Sequence, residues 1–480
     1  MNINWNHYRS WLQDVIVGDI FPVMPPPTIG LISTDSRTLK EGDWFIPLRG
    51  ATFDGHEFIK DALNKKVAGF FYELDRIKNL SEKELKHGVP VKNTLTALQR
   101  IAHHARFLHK TLKVIALTGS TGKTTTRELT AALFSSIGPT FSAAGSYNNE
   151  IGVPLTLLKL TDHHKYVVLE FGARHEGDIS FLSKLATPDV VACLNIGSAH
   201  LGEFGSVEKI AKTKLEIFTD SAPGAALVAF CDDDRIITAA KRSGKKFVSF
   251  GCSCDADVSV RNVELARDSA SAAPQMIVRF EIYKREYLIR FSFAHSAYPI
   301  NLAAAAAIAL ASGVSVEKTA QAMSLIKIEN IGGGGRFHTH KKGSLTIIDD
   351  AYNANPDSMT AGLKTLAELY KDQKKIVILG DMLELGPTSS ELHKKIGVLC
   401  ASMVCPEMII TVGDEAEHIK LGAIESGFSE KAILSFKNVD ELIKANLPFQ
   451  FYGDVVYAKA SNAVKLPRFV DDLLKRCEVG

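Results

Sequence analysis

Residues 118–125 read Thr-Gly-Ser-Thr-Gly-Lys-Thr-Thr and directly follow an apolar, strand-like run at residues 114–117. The two glycines let the backbone turn tightly, so that several N–H groups point at one anion where the next helix begins. In such a loop the lysine neutralises the outer phosphates of a nucleotide, and the next hydroxyl reaches Mg²⁺. The sequence therefore predicts a phosphate-binding loop, in which two residues separate the glycines where the Walker A pattern has four.

The pattern after this loop is that of an α/β domain. Leu129, Leu133 and Ile137 recur every four residues, which predicts a helix directly after the loop. Further apolar runs at residues 166–171 and 190–194 are separated by helical stretches. This order is typical of a parallel sheet whose strands are joined by helical crossovers.

Two features divide the chain into three parts. Before residue 113, turn signals alternate with short apolar strands, which indicates a smaller α/β domain. The glycines at residues 332–335 cannot hold a helix or a strand, and they suit a hinge. Beyond them the α/β alternation resumes, with strand candidates at residues 345–348, 376–379, 408–412 and 455–458. We predict three α/β domains, the central one a P-loop ATPase with a mostly parallel sheet, at residues 1–112, 113–329 and 330–480.

Composition narrows the class of protein. The chain has 480 residues, of which 46% are hydrophobic and 23% charged, enough to bury a large core. A formal net charge of +2 gives no broad basic field, so we expect no nucleic-acid partner. No apolar run approaches the ~20 residues of a membrane span, and the seven scattered cysteines suit a reducing compartment. We expect a cytoplasmic protein that does not insert into membranes.

Two predicted strands of the central domain end in residues that a purely structural strand does not need. Glu170 closes the run at residues 166–169, while Asn195 closes the run at residues 190–194 and leads to His200. Ligands of parallel sheets bind at the carboxyl ends of the strands, where the phosphate loop also lies. Glu170 is therefore a candidate Mg²⁺ ligand, the alternative being a helix cap, and His200 could equally be an ordinary loop histidine.

Lys214 is the unexpected residue of this domain. On a helix over residues 206–218, Lys214 falls in the middle of the apolar face. A buried ammonium must be paired or deprotonated, because an isolated charge in an apolar setting costs several kcal/mol. Two interpretations stay open at this point: the amine snorkels to the rim of the helix, or it is a modified active-site lysine.

The third domain opens with a second group of polar residues. Arg336 follows the glycine hinge, and residues 349–356 read Asp-Asp-Ala-Tyr-Asn-Ala-Asn-Pro after a β-like run. Asp and Asn at a strand end suit hydrogen bonds to a ribose or a peptide, and an ordinary Asn/Pro turn is the alternative. A nucleotide held by one domain and covered by an arginine from the next would lie under a lid that excludes water.

Taken together, these residues resemble the Mur ligase family, the ATP-dependent amide-forming enzymes of peptidoglycan precursor synthesis. The resemblance spans nearly the whole chain. Its last three blocks resemble most the members that add D-alanyl-D-alanine. The matching blocks are residues 35–37, 54–56, 118–125, 148–154, 169–175, 200–214, 301, 335–336, 350–356 and 379–386.

The resemblance implies a fold, a reaction and partners. Residues 1–112 would bind a UDP substrate, and residues 330–480 would form a Rossmann-like domain that closes over ATP and binds a dipeptide. The reaction would join D-alanyl-D-alanine to the tripeptide carboxylate of UDP-N-acetylmuramoyl-tripeptide through an acyl phosphate. We expect the ligase to act as a monomer.

The resemblance also implies roles for individual residues. Catalytic roles fall to Lys123, Glu170, His200 and Lys214. Two Mg²⁺ ions would be held by Thr124, Glu170, His200 and Lys214, the last as a carbamate derived from CO₂. ATP contacts are expected at Gly119, Ser120, Thr121, Gly122, Lys123, Thr124, Thr125, Asn301, Arg336 and Asp350. Substrate contacts are expected at Ser36, Arg37, Asn148, Asn149, Asn353 and Asn355.

The chain departs from the family pattern at two places. Residues 297–300 lack the His-Asn pair that often precedes the asparagine at 301, and residues 459–462 read Lys-Ala-Ser-Asn where the family has Lys-Gly-Ser-Arg.

Three alternative functions stay open. A sister ligase adds a single amino acid, but its Asp-Asn-Pro-Arg motif is absent here. The second alternative is folylpolyglutamate synthetase, which lacks a UDP-binding first domain like the one predicted here. The third is a binding protein that uses ATP only as a switch, which needs no modified lysine. The residues identify neither the base that deprotonates the incoming amine nor the third residue of the tripeptide.

Overall fold

The computed structural model describes residues 10–17, 31–76, 80–143, 145–197, 201–253, 255–267, 274–327, 336–449 and 454–477. Within these residues the strands form three sheets of four, nine and six strands, which follow one another along the chain. The predicted α/β class is confirmed. The glycine hinge predicted at residues 332–335 lies outside the described residues.

The first sheet is small and parallel, with its strands in the order β1-β2-β3-β4. Every residue of β3 and β4 is buried, as expected for parallel strands that are covered on both faces. The strands are β1 (Ile32–Ser33), β2 (Trp44–Phe45), β3 (Gly69–Glu73) and β4 (Gly88–Val91). The helices are α1 (Ile59–Asn64), α2 (Glu82–Leu85) and α3 (Thr94–Arg106).

The second sheet has the order β13-β12-β11-β10-β9-β8-β5-β7-β6. It is parallel from β6 to β11, and an antiparallel extension of β12 and β13 follows, which the sequence patterns did not predict. Its strands are β5 (Lys113–Thr118), β6 (Thr140–Ser142), β7 (Tyr166–Glu170), β8 (Val190–Cys193), β9 (Ala226–Phe230), β10 (Phe247–Gly251), β11 (Val258–Arg267), β12 (Pro274–Ile282) and β13 (Arg285–Phe291).

The helices around this sheet bury its two faces. The alanine-rich helix α10 is buried along almost its whole length, so the longest apolar tract of the sequence is a core helix. No helix among the described residues combines the length and the apolar character needed to cross a membrane. The helices are α4 (Lys123–Ser135), α5 (Gly152–Leu158), α6 (Asp178–Ala186), α7 (Leu201–Phe204), α8 (Val207–Thr219), α9 (Asp234–Arg242), α10 (Tyr298–Ala311) and α11 (Val316–Ser324).

The third sheet has the order β14-β15-β19-β16-β17-β18 and is parallel except for β14. Its strands are β14 (His338–Lys342), β15 (Leu345–Asp349), β16 (Lys375–Gly380), β17 (Met408–Val412), β18 (Ile433–Phe436) and β19 (Val455–Lys459). Its helices are α12 (Pro356–Leu369), α13 (Ser389–Leu399), α14 (Glu417–Glu425), α15 (Val439–Lys444) and α16 (Pro467–Arg476).

Helices α13 and α14 approach closely through two glycines. A methyl group added at Gly422 would overlap the carbonyl oxygen of Lys394, and one added at Gly397 would overlap that of Ile419. Both obstacles are backbone atoms, which a side-chain rotation cannot move aside. The contact between the two helices therefore depends on the absence of side chains here.

We expect Gly422→Ala to destabilise the C-terminal domain by roughly 1–3 kcal/mol, because overpacking forces the two helices apart. The measurement is the midpoint of thermal unfolding, followed by circular dichroism. Gly224→Ala is the matched control, because nothing lies within 4 Å of its added methyl group. Equal midpoints for the two variants would contradict the close packing of α13 on α14.

Candidate functional site

The predicted phosphate loop joins the end of β5 to the start of α4. Gly122 precedes the helix with a φ of 74°, in the left-handed region that favours glycine. A Cβ atom at Gly122 would lie 2.8 Å from Oδ1 of Asn301, at the start of α10. Both the backbone conformation and the space therefore require glycine at this position.

Asn195 holds this loop in place, although we did not include it among the expected site residues. It follows β8, and its Oδ1 atom accepts hydrogen bonds from the N–H groups of Ser120 and Thr121, both at 2.9 Å. Its Nδ2 atom donates to the carbonyl of Thr121 at 3.1 Å. The sequence placed Asn195 at the end of a predicted strand, but it did not show that this strand lies beside β5.

Lys123 is half-buried and folds back onto its own loop. Its Nζ atom donates to the carbonyl oxygens of Gly119 at 2.8 Å and Ser120 at 3.2 Å. Burial lowers the pKa of Lys123, and the negative charge of Glu170 acts in the opposite direction. The ammonium therefore lies at the loop, beside a carboxylate.

Glu170 and Thr124, both expected to bind Mg²⁺, are in direct contact. The Thr124 hydroxyl donates to Oε2 of Glu170 at 2.8 Å, and Asn148 donates to Oε1 at 2.8 Å. Mg²⁺ typically takes one or two carboxylates and completes its shell with phosphate oxygens and water. Among the described residues there is no group of three or more His, Cys, Asp or Glu side chains that could hold a metal ion.

Lys214 lies on the buried face of α8 and is 1% exposed. The interpretation that its amine snorkels to the rim is therefore wrong. Burial lowers the pKa of Lys214 to about 7, and the positive charge of Lys123 adds to the decrease. His200, expected to act with it, lies outside the described residues.

A cleft of about 960 Å³ separates the phosphate loop from the C-terminal domain. Arg336 lies 4.0 Å from the ring centre of Tyr352, and its Nη1 atom is 3.3 Å from Oε1 of Glu128 on α4. The hydroxyl groups of Tyr352 and Ser146 are 2.6 Å apart. Arg336 and Tyr352 thus contact the central domain at the cleft.

Three family models match successive parts of this chain. The model described as "Mur ligase family, catalytic domain" matches residues 28–106, and "Mur ligase middle domain" matches residues 117–309. The model described as "Mur ligase, glutamate ligase domain" matches residues 335–462. The chain belongs to the Mur ligase family.

Individual relatives match over almost the full length. The UDP-N-acetylmuramoyl-tripeptide–D-alanyl-D-alanine ligase of Bacillus subtilis (strain 168) is 32% identical, over 92% of this chain and 93% of the relative. The structure of MurF from Acinetobacter baumannii has a TM-score of 0.81 and 30% identity, with 98% of each chain covered. MurF ligase from Thermotoga maritima in complex with ADP has a TM-score of 0.78 and 27% identity, over 96% of this chain and 99% of that chain. The predicted resemblance and the three-domain architecture are confirmed.

Most of the residues expected from the Mur ligase resemblance line the cleft. Asn301 is among them and faces Gly122 across the loop. Lys214 does not line the cleft. The expected residues that line it are Ser120, Thr121, Gly122, Lys123, Thr124, Thr125, Asn148, Asn149, Glu170, Asn301, Arg336, Asp350, Asn353 and Asn355.

Two of these residues have local partners that sequence reasoning did not anticipate. Asp350 Oδ2 is 2.8 Å from Lys459 Nζ and accepts a hydrogen bond from Tyr457 at 2.8 Å. Asn355 caps α12, because its Oδ1 atom accepts from the N–H of Ser358 at 2.9 Å. Both residues line the cleft and also hold the fold of its C-terminal wall.

Ser36 and Arg37 lie in the N-terminal domain and do not line this cleft. Arg37 is largely exposed and binds Asp35 through two side-chain hydrogen bonds of 2.9 and 2.8 Å. These bonds to the guanidinium lower the pKa of Asp35 to about 2. The carbonyl of Ser36 accepts a hydrogen bond from Lys65 at 2.8 Å. The structure therefore separates the two residues from the phosphate loop.

We expect Asn195→Ala to weaken ADP binding about tenfold, because the loop N–H groups that it holds lose their acceptor at a cost of ~1–3 kcal/mol. Isothermal titration calorimetry with ADP measures the change in Kd. Asn262→Ala, at an exposed position of β11, is the control and should leave the Kd unchanged. A Kd that is also unchanged in Asn195→Ala would show that the loop does not depend on this side chain.

Proposed function

We propose that this chain is an ATP-dependent ligase that joins D-alanyl-D-alanine to the tripeptide carboxylate of UDP-N-acetylmuramoyl-tripeptide in cytoplasmic peptidoglycan precursor synthesis. The observation that carries the proposal is the cleft, in which the phosphate loop and the Glu170–Thr124 pair face Arg336 of the next domain. The relatives of that name match more than nine-tenths of the chain. One wall of the cleft would hold the nucleotide and a metal ion, and the second domain forms the opposite wall. Such an enclosed site suits a reaction from which water must be excluded.

The loop fits the phosphates of ATP. Gly122 leaves the space that a Cβ atom would fill, and Lys123 places a positive charge at the loop. Glu170 and Thr124 would hold one Mg²⁺ ion. Bound Mg²⁺ supplies positive charge that stabilises the γ-phosphoryl group during transfer. Arg336 would then cover the nucleotide from the C-terminal domain.

The reaction proceeds in two steps. An oxygen of the tripeptide carboxylate attacks the γ-phosphorus of ATP, and the bond to the ADP oxygen breaks, which leaves an acyl phosphate. Lys123 stabilises the negative charge that moves onto the phosphate oxygens. The amine of D-alanyl-D-alanine then attacks the acyl carbon, and phosphate leaves with the bonding electrons.

Lys214 suits the expected carbamate. Burial lowers the pKa of Lys214 to about 7, so the neutral amine is accessible at neutral pH. That amine can form a C–N bond to CO₂ and lose one proton to water, which gives an anion. The anion would attract Lys123, whereas an ammonium at Lys214 repels it. We propose that this carbamate, with His200, holds the second Mg²⁺ ion.

Each of the three domains would bind a different substrate or part of a substrate. We propose that residues 1–112 bind the UDP part of the substrate with Ser36 and Arg37, and that residues 113–329 bind ATP. Residues 330–480 would close over ATP and bind the dipeptide. Asn148 and Asn149 from the central wall, with Asn353 and Asn355 from the C-terminal wall, would contact the peptide parts of the substrates. The monomeric state stays a prediction.

Phosphate release from ATP tests the function. We expect release to require both UDP-N-acetylmuramoyl-tripeptide and D-alanyl-D-alanine, because the second substrate discharges the acyl phosphate. A coupled phosphate assay with each substrate omitted in turn measures this dependence. Release that ignores the dipeptide would favour an ATP switch. Release that accepts a single amino acid with UDP-N-acetylmuramoyl-dipeptide would favour a sister ligase.

We expect Lys214→Ala to lower ligation by about 100-fold or more, because a metal ligand is lost. Added short carboxylates such as acetate should restore part of the rate, because they can occupy the space of the carbamate. Lys212→Ala is the control, since Lys212 lies on the exposed side of the same helix and pairs with Glu176. Unchanged ligation by Lys214→Ala would give this lysine a packing role only.

A further inference from the structure

Asp357 reaches across the cleft from the first turn of α12. A methyl group placed on Gly197 of the central domain would lie 3.0 Å from Oδ2 of Asp357 and 3.4 Å from Cβ of Ser120. The carboxylate therefore lies beside the phosphate loop, although it belongs to the opposite domain. Neither the sequence motifs nor the comparisons give Asp357 a role.

The other carboxylates of the cleft are mostly engaged. Glu170 and Asp350 have the partners described above, and Asp178 accepts hydrogen bonds from the N–H groups of residues 174 and 175. Among the described residues, Asp357 has no hydrogen-bond or ion-pair partner. Glu150 shares this property, but it lies on the central wall next to α5. Asp357 is the available carboxylate on the wall that we assign to the dipeptide.

A purely structural role does not account for this carboxylate. An acid in the first turn of a helix is favoured by the helix dipole. However, Asn355 and Ser358 already cap α12 through reciprocal hydrogen bonds. Asp357 accepts no hydrogen bond from the N–H groups of the described residues, and its Oδ2 atom lies beside Gly197. The side chain is exposed to the cleft, so a substrate can reach it, and the protein atoms around it raise its pKa, which makes it a better proton acceptor.

The position also has an electrostatic consequence. A carboxylate beside a phosphate loop repels the anions that the loop binds, unless a cation comes between them. The incoming amine arrives as an ammonium and must lose a proton before it can attack. A carboxylate at this place attracts that ammonium and can accept the proton.

We propose that Asp357 receives the ammonium of the incoming dipeptide and acts as the base that makes its amine nucleophilic. One proton moves from nitrogen to Asp357 and leaves a lone pair on nitrogen. The lone pair forms the C–N bond to the acyl carbon, the C–O bond to phosphate breaks, and phosphate takes the bonding electrons. The second proton lost by nitrogen leaves with the phosphate. This inference rests on the proposed ligase function.

Asp357→Asn tests the inference, because it removes the charge and the base while keeping the shape. We expect kcat/KM for D-alanyl-D-alanine to fall about 100-fold, with the KM values for ATP and UDP-N-acetylmuramoyl-tripeptide unchanged. Hydroxylamine is largely neutral near pH 7 and needs no base. The variant should therefore form hydroxamate from ATP and the tripeptide substrate at the wild-type rate.

Two further variants make the test specific. Asp357→Glu keeps the carboxylate and should recover part of the lost ligation. Glu417→Gln removes the first-turn acid of α14 in the same domain, away from the cleft, and should leave ligation unchanged.

Three results would overturn the role of Asp357. The first is unchanged ligation by Asp357→Asn. The second is an equal loss of ligation and of hydroxamate formation in this variant. The third is a raised Mg²⁺ requirement without a fall in kcat/KM for D-alanyl-D-alanine. Failure of the proposed function is a different result, because the wild-type chain would then not couple the dipeptide to the tripeptide substrate at all.

Discussion

The site depends on the order β8-β5-β7 within the central sheet. Because these strands are parallel neighbours, their carboxyl ends lie at one edge, and three unrelated segments of sequence meet there. β5 delivers the phosphate loop, β7 delivers Glu170, and the segment after β8 delivers Asn195. The contacts of Glu170 with Thr124 and of Asn195 with the loop both follow from this order. The remaining parts of the site are arranged around this edge.

Charge links this edge to the C-terminal domain. Arg127, buried on α4, lies 3.7 Å from Glu170 and 3.3 Å from Glu128, and Glu128 lies 3.3 Å from Arg336. A buried charge is costly unless it is paired, so each member of this series stabilises the next. Arg336 therefore neutralises an acid of the central domain as it covers the cleft. The approach of the two domains and the orientation of Glu170 belong to one charge network.

Sequence patterns predicted those parts of the site that depend on short stretches of chain. The loop follows from its glycines and lysine. Helical periodicity placed Lys214 on the apolar face of its helix but left open whether its amine is buried. The contacts of Asp350 could not be predicted, because Tyr457 lies 107 residues further along the chain. The role of Asn195 depends on which strand lies beside β5, and periodicity carries no information about strand order. The antiparallel pair β12 and β13 was also missed, because no strand was predicted in that part of the chain.

The departure at residues 459–462 has a physical account in the C-terminal wall. Lys459 pairs with Asp350, and Ala460 is fully buried. A Cβ atom added at Gly380 would lie 2.7 Å from the Cβ atom of Ala460. Asn462, at the place of the family's arginine, donates from Nδ2 to the carbonyl of Tyr352 at 3.2 Å. The neutral amide therefore holds the segment after β15 without adding a positive charge. Since this segment leads directly into α12, the same bonds fix the wall from which Asp357 faces the phosphate loop.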